Sequence, residues 1–322
     1  MMNNTVFDIW AEDEYNYSQS FGFMPNLYSY LHEENVSGGR PTIIIVPGGA
    51  YSFVSPSEGD SVARKFYSFG YNAFVLTYTV NVLGNVPVQH QPMNDLSRAI
   101  RFLRANHQEL NIHSEKIIIC GFSAGGHLCG SLCTHYQDVM DNNDFYNRFS
   151  NRPDAAILCY PVVSTGKFCH EGSFKALLGI SATDEEQKYF SLEKNITTAT
   201  PPMFLWHTAT DETVAVENSI VLASALKQNN VPFSYHIFSE GKHGLSTAEV
   251  LTEEMLETGQ YTMKQTYLVL NAINNGLVPP SKGTEQLLKF ISKKKIPSHL
   301  ENKEAAIWTE LVKVWLEKYI LS

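Results

Sequence analysis

The run Lys116-Ile117-Ile118-Ile119-Cys120 leads directly into Gly121-Phe122-Ser123-Ala124-Gly125-Gly126, and from Ser123 to Tyr136 the pattern turns helical. A short apolar, β-branched run reads as a buried strand. Its junction with a helix through so few residues commits the centre of the chain to a strand, turn and helix, the unit of layered α/β architectures. Gly-x-Ser-x-Gly in that setting is the nucleophile-elbow pattern: the serine takes a strained backbone, and glycines let the neighbouring strand and helix approach. The plainer alternative is a glycine-rich loop whose serine only caps the helix.

The same alternation extends along the chain. Strands are expected near Thr42 to Val46, Ala73 to Tyr78, Lys116 to Cys120, Ala155 to Tyr160, Met203 to His207 and Phe233 to Phe238. Helices are expected over Asp60 to Phe69, Gln91 to His107, Ser123 to Tyr136 and Val214 to Asn229. Such spacing predicts βαβ units and a parallel sheet. Val6 to Trp10 and Leu27 to Leu31 read as an antiparallel edge before it. At the other end Ala305 to Ile320 reads as a helix with Ile307, Leu311, Val314 and Trp315 on its buried side. Residues 1–322 are taken as one domain. Between Val250 and Asn302 the alternation gives way to helical stretches, Glu253 to Asn274 and Thr284 to Ser292, broken by Gly276 and Pro279-Pro280. That segment reads either as a cap over a site or as a contact between copies in a homo-oligomer.

A serine hydroxyl becomes a nucleophile when an imidazole takes its proton and a carboxylate orients that imidazole. In this order of elements the acid and base follow the serine, on loops at the carboxyl ends of later strands. After Met203 to His207 comes Thr208-Ala209-Thr210-Asp211-Glu212, and after Phe233 to Phe238 comes Ser239-Glu240-Gly241-Lys242-His243-Gly244. Asp211 is the candidate acid, with Glu212 as rival and helix N-capping as the plain role, and His243 is the candidate base. Acyl transfer also needs donors for an oxyanion. Pro47-Gly48-Gly49-Ala50-Tyr51, directly after the first long strand, offers the amides of Gly49 or Ala50, to be joined by that of Ala124. Tyr51 is the candidate substrate-binding side chain, at the start of a pocket wall running to Glu58, with further wall from Phe168 to Phe190 and from Glu253 to Ser292.

Other residues carry less. His127, Cys129, Cys133 and His135 would lie on one helix at spacings that do not converge on a metal, so no metal is expected. His207 reads as a hydrogen-bonded structural histidine. No phosphate-loop or dinucleotide fingerprint appears, and the chemistry requires no cofactor. A net charge of −9 disfavours nucleic acid or an anionic membrane as partner, and Lys293-Lys294-Lys295 is too short a basic run to change that. No apolar stretch is long enough to span a bilayer, and Met1-Met2-Asn3-Asn4-Thr5 does not resemble a signal peptide. The five cysteines lack disulfide or metal spacing and read as buried small residues, and a cytoplasmic location is the expectation.

Several blocks taken together resemble a known family. They are Val46-Pro47-Gly48-Gly49-Ala50-Tyr51, Glu58-Gly59, Gly70-Tyr71-Asn72-Ala73-Phe74-Val75-Leu76, Gly121 to Leu128, Ser191-Leu192-Glu193 and His243-Gly244-Leu245. This set is similar to the esterase/lipase branch of the α/β-hydrolases that includes bacterial acetyl esterases and acetylxylan esterase-like proteins. The resemblance implies an α/β-hydrolase fold with a mostly parallel eight-stranded sheet flanked by helices, and hydrolysis of short acyl esters, often acetyl groups on sugars. Two features depart from it: Pro-Gly-Gly-Ala stands where the hormone-sensitive-lipase group has His-Gly-Gly-Gly, and the stretch from Val250 to Asn302 is longer than the expected link to the last helix. A serine peptidase of the prolyl-oligopeptidase type shares the order of residues, but no propeller-like partner domain is present in the sequence. A non-catalytic binding protein on the same scaffold would be expected to have lost one of Ser123, Asp211 and His243.

Overall fold

The computed structural model describes residues 4–291 and 301–321. Eight strands form one sheet: β1 (Val6–Asp8), β2 (Asn26–Tyr30), β3 (Arg40–Val46), β4 (Asn72–Thr77), β5 (Ile112–Phe122), β6 (Ala155–Cys159), β7 (Met203–Thr208) and β8 (Phe233–Phe238). Their spatial order is β1-β2-β4-β3-β5-β6-β7-β8. β1 and β2 pair antiparallel, as does β2 with β4, and the rest of the sheet is parallel. The sheet, its flanking helices and the helical segment before the last helix are those expected.

The helices are α1 (Asp60–Ser68), α2 (Gln91–Ala105), α3 (Ala124–His135), α4 (Asp144–Asn147), α5 (Glu171–Leu178), α6 (Asp184–Tyr189), α7 (Glu217–Gln228), α8 (Glu253–Thr258), α9 (Lys264–Asn274), α10 (Lys282–Ile291) and α11 (Trp308–Leu316). Alternate residues of β3 explain the layers. Ile44 and Val46 pack with Leu96, Ile100, Leu128 and Leu222 of α2, α3 and α7. Ile43 and Ile45 pack with Val62 and Phe66 of α1 and Trp308 and Val312 of α11. A strand covered on both faces must be apolar throughout, which is why β3 reads as a continuous Ile and Val run.

The last helix agrees with expectation in part: of the expected row Trp315 is buried and Leu311 packs partly buried against the core, but Ile307 is 50% exposed and Val314 67% exposed, while Trp308, Val312 and Leu316 are buried beside Trp315. Both rows obey the helical period, and the row carrying two indoles removes more apolar surface from water. Trp308 stacks on Trp206 with ring centroids 5.4 Å apart, and its Nε1 donates to the Ser246 carbonyl at 3.1 Å. This docks α11 beneath the loop that follows β8.

The segment after Val250 packs against its own chain. Thr262 Oγ1 donates to the Val54 carbonyl at 2.9 Å. Gln265 uses both ends of its amide on Val80, accepting from the N–H and donating to the carbonyl, each at 2.9 Å. Tyr261 stacks on Tyr28 at 4.0 Å. The segment therefore grips the loops that leave β3 and β4 at their carboxyl ends. The expected end of the second helical stretch, Ser292, lies outside the described residues.

Register places the site. Val46 is level with Gly121, Phe122 with Cys159, and Thr208 with Phe238. The turns after β3, β5, β7 and β8 consequently leave the sheet along one edge, where open α/β sheets carry their ligands.

Candidate active site

Ser123 stands between β5 and α3 with φ 52° and ψ −118°, in the left-handed half of backbone space. That costs on the order of 1–2 kcal/mol for a residue with a Cβ, and the surroundings hold it. Its N–H donates to the Cys159 carbonyl at 3.0 Å, and its carbonyl accepts from His127 and Val162. The flanking glycines are required by close approach: a Cβ on Gly121 would collide with the Gly125 carbonyl, and one on Gly125 with the carbonyls of Val46 and Pro47.

The structure brings together the three side chains expected to meet. His243 Nε2 lies 2.8 Å from Ser123 Oγ, and His243 Nδ1 lies 2.6 Å from Asp211 Oδ2. The rival Glu212 is exposed. Asp211 is not the N-cap of α7, which begins after Val216. Its Oδ1 accepts the N–H groups of Thr213 and Val214 at 2.9 and 3.0 Å, so the carboxylate is locked and presents Oδ2 to the imidazole. Burial pushes this carboxyl upward, but hydrogen bonds from His207 and His243 and the Val214 N–H outweigh it and hold it well below the usual carboxylate range. An ionised Asp211 at Nδ1 places the imidazole proton there and turns the Nε2 lone pair to Ser123.

His207, read from the sequence as structural, is buried and bonded through Nδ1 to Ser219 Oγ at 2.7 Å and through Nε2 to the Val214 carbonyl at 2.9 Å. Nε2 also lies 3.3 Å from Asp211 Oδ2. It thus steadies the acid, a contact invisible in the sequence because it depends on how the turn at 208–214 curls back. His170, within the expected wall from Phe168 to Phe190, is not singled out by the sequence. Its Nδ1 accepts from the Ser173 N–H at the start of α5, and burial together with the charge of nearby His243 lowers its basicity.

The loop after β3 is tightly curled. Ser52 and Phe53 donate to the Gly49 carbonyl and Ser55 to the Gly48 carbonyl. A Cβ on Gly48 would stand 2.7 Å from the Phe122 carbonyl oxygen and 2.9 Å from Ser123 Cβ, so the loop lies against the nucleophile. Among the described residues, the N–H groups of Gly49, Ala50 and Ala124 have no acceptor within the protein. Unpaired amides beside a nucleophile are the raw material of an oxyanion site. Ala50 takes φ 55° and Tyr51 φ 57°, so the alanine that stands in place of glycine sits in the left-handed region that favours glycine.

Tyr51 does not lie where a substrate contact was expected. Its side chain is 1% exposed, its hydroxyl meets His127 Nδ1 at 2.8 Å, and its ring stands edge-on to Tyr78 and His127. A buried phenol needs a partner for its hydroxyl, and the position behind α3 supplies one. His127 Nε2 meets the Phe190 carbonyl at 2.8 Å, and His135 is bonded to Asp138 and the Tyr189 carbonyl. Cys129 and Cys133 are buried thiols pushed up by desolvation. Among the described residues, no group of three or more His, Cys, Asp or Glu side chains is placed to hold a metal ion, and no helix is long and apolar enough to cross a membrane.

The BD-FAE family model matches residues 29–226, more than half of the chain. The chain belongs to the BD-FAE family. Two curated relatives are Endo-1,4-beta-xylanase B of Butyrivibrio fibrisolvens, 47% identical over 259 residues, and acetylxylan esterase of Xylanibacter ruminicola, 29% identical over 217 residues. The matches cover 80% and 66% of this BD-FAE chain but only 40% and 42% of those proteins. The chain therefore spans about two fifths of the length of the curated relatives it matches. Among solved structures, the acetyl ester-xyloside bifunctional hydrolase of Caldicellulosiruptor lactoaceticus superimposes with a TM-score of 0.70 at 37% identity, covering 85% of this chain and 97% of that one. The BD-FAE match begins in β2 and ends in α7, so it takes in the elbow, the glycine loop and Asp211 but not His243.

Proposed function

We propose that the chain is a serine esterase that removes short acyl groups, acetyl above all, from carbohydrate esters through an acyl-enzyme intermediate. The observation that carries this reading is the unbroken relay Ser123 Oγ, His243 Nε2, His243 Nδ1, Asp211 Oδ2, at 2.8 and 2.6 Å, beside amides with no acceptor. The names of two relatives, an acetylxylan esterase and an acetyl ester-xyloside hydrolase, support the substrate class.

In the proposed sequence His243 takes the Ser123 proton as Oγ adds to the ester carbonyl, and Asp211 stabilises the imidazolium. Amides drawn from Gly49, Ala50 and Ala124 receive the developing oxyanion. The intermediate collapses as His243 returns the proton to the leaving sugar oxygen, which breaks the ester C–O bond and leaves acyl-Ser123. Water, deprotonated by the same imidazole, adds to the acyl carbonyl, and Oγ departs with the proton. Acid and alcohol are released and the serine is restored.

The test is turnover of acetylated xylo-oligosaccharides beside unsubstituted xylan and a prolyl peptide. The account expects acetate release alone. Peptide cleavage without ester cleavage would transfer the site to the peptidase reading.

A further inference from the structure

One buried carboxylate takes no part in the relay yet touches everything around it. Glu58 is 3% exposed, at the end of the short helical turn Pro56–Glu58 that follows the glycine loop. Its Oε2 accepts the Gly48 N–H at 2.8 Å, and its Oε1 accepts the Tyr160 hydroxyl at 2.8 Å. The Tyr160 hydroxyl in turn accepts the N–H of Ser246 at 2.9 Å, three residues beyond His243, and the Tyr160 ring stands edge-on to the His243 imidazole at 5.0 Å. Ser246 Oγ closes the circuit on the Ser57 carbonyl at 2.6 Å. Tyr160 itself is held at φ 38°, so the end of β6 is bent to bring its ring there.

A lone acid in a Ser-Pro-Ser-Glu-Gly loop would ordinarily face solvent. Burying it opposes ionisation, against which the Tyr160 hydroxyl and Gly48 N–H are the stabilising partners. A group kept at that cost has a positional role when its partners belong to separate segments of one site. Here the segments are the glycine loop, the end of β6 and the histidine loop. The bond to Gly48 also occupies the amide immediately before those of Gly49 and Ala50, which fixes the peptide planes that follow.

We infer that Glu58 is a positioning residue: through Gly48 and Tyr160 it ties the oxyanion loop to the loop bearing His243, so that donors and base are held in register about Ser123. The inference rests on the esterase reading for its kinetic consequence, but the tie itself is a structural claim. In E58Q one of the two donors, Gly48 N–H or Tyr160 O–H, loses its acceptor while the volume is unchanged. Misplacement by about 1 Å in such a site can cost about 100-fold in rate.

The experiment measures kcat and KM for a short-chain aryl acetate with wild type, E58Q and Y160F, normalised to the Ser123 fraction titrated by a fluorophosphonate. Amide hydrogen exchange over residues 48–50 and 244–248 is followed on the same samples. The expected result is a fall in kcat per titrated site of about 10- to 100-fold with KM within about threefold. Exchange should be faster in both segments, and E58Q/Y160F should be no worse than the poorer single variant within about threefold. If E58Q does not fold, Y160F carries the same test at the other end of the tie. A kcat per site within about threefold of wild type overturns the inference, as does unchanged exchange. A loss confined to the titratable fraction marks a merely structural role and overturns it too. Wild type that turns over no ester sinks the esterase reading instead, and the exchange measurement then decides the tie alone.

Discussion

Replacing Asp211 by Asn probes the direction in which the relay is wired. Oδ1 of Asp211 accepts two backbone N–H groups, from Thr213 and Val214, at 2.9 and 3.0 Å. An amide at this position must keep its oxygen on that side, because turning its NH2 toward two donors would leave both unpaired, at about 1–3 kcal/mol each. The NH2 group then faces His243 Nδ1, where Oδ2 now lies at 2.6 Å. An amide donor at Nδ1 forces the imidazole proton onto Nε2, and the nitrogen 2.8 Å from Ser123 Oγ becomes a donor that cannot take the serine proton. Such a tautomer reversal costs about 10⁴ in kcat, equivalent to about 5.5 kcal/mol of transition-state stabilisation. The assay is aryl acetate hydrolysis by D211N, with folding checked by thermal denaturation. A variant within about tenfold of wild type would refute the assignment of Asp211 as the orienting acid.

Three further outcomes follow from the packing. Burial pushes His127 down from 6.5 to about 4, opposed in part by the Phe190 carbonyl. The unfolded chain thus takes up this proton before the folded one does, and stability should fall by about 3 kcal/mol as pH drops from about 6.5 to about 4; urea titrations should show that loss reduced in H127Q, and equal losses in both proteins would contradict it. Q265A strips the N–H and carbonyl of buried Val80 of their partners, and a destabilisation of about 2–4 kcal/mol is expected; a loss under about 0.5 kcal/mol would mean the helical segment is not docked as described. W308A should cost about 3–5 kcal/mol and V314A less than about 0.5 by the same titration, and the reverse ranking would restore the helix face read from the sequence.

Much of the site was legible because its parts are local signals set in order. The Ile117-Ile118-Ile119 run, the Gly-x-Ser-x-Gly turn and the helix after it can be read in one window. Asp211 and His243 could be placed because each follows an apolar strand within a few residues. Residues whose meaning lies across the fold were not legible. In the sequence Glu58 stands out only in the Glu58-Gly59 block and as the end of a pocket wall; its partners appear when the turn at 56–58 brings it under Gly48 and against Tyr160. Tyr51 looks like a pocket residue because it ends a glycine loop, but the left-handed backbone at Ala50 and Tyr51 turns its ring toward His127. On α11 the period places Trp315 and Leu311 on the packed side, but periodicity constrains spacing and leaves the rotation to whichever row buries better, which exposes Val314. The helices α5 and α6, 8 and 6 residues in length, are too short to carry a long apolar period, so the sequence marks them only as pocket wall.

The central claim is that Ser123 is the acyl acceptor, and it is tested most directly by trapping the intermediate. Wild type and S123A are mixed with an aryl acetate, quenched in acid within the first turnovers, digested, and examined by mass spectrometry. The account predicts an acetyl group on the peptide holding Gly121-Phe122-Ser123-Ala124-Gly125 of wild type, and neither adduct nor turnover in S123A. Hydrolysis that persists in S123A, or an acetyl group found on another residue, would contradict it.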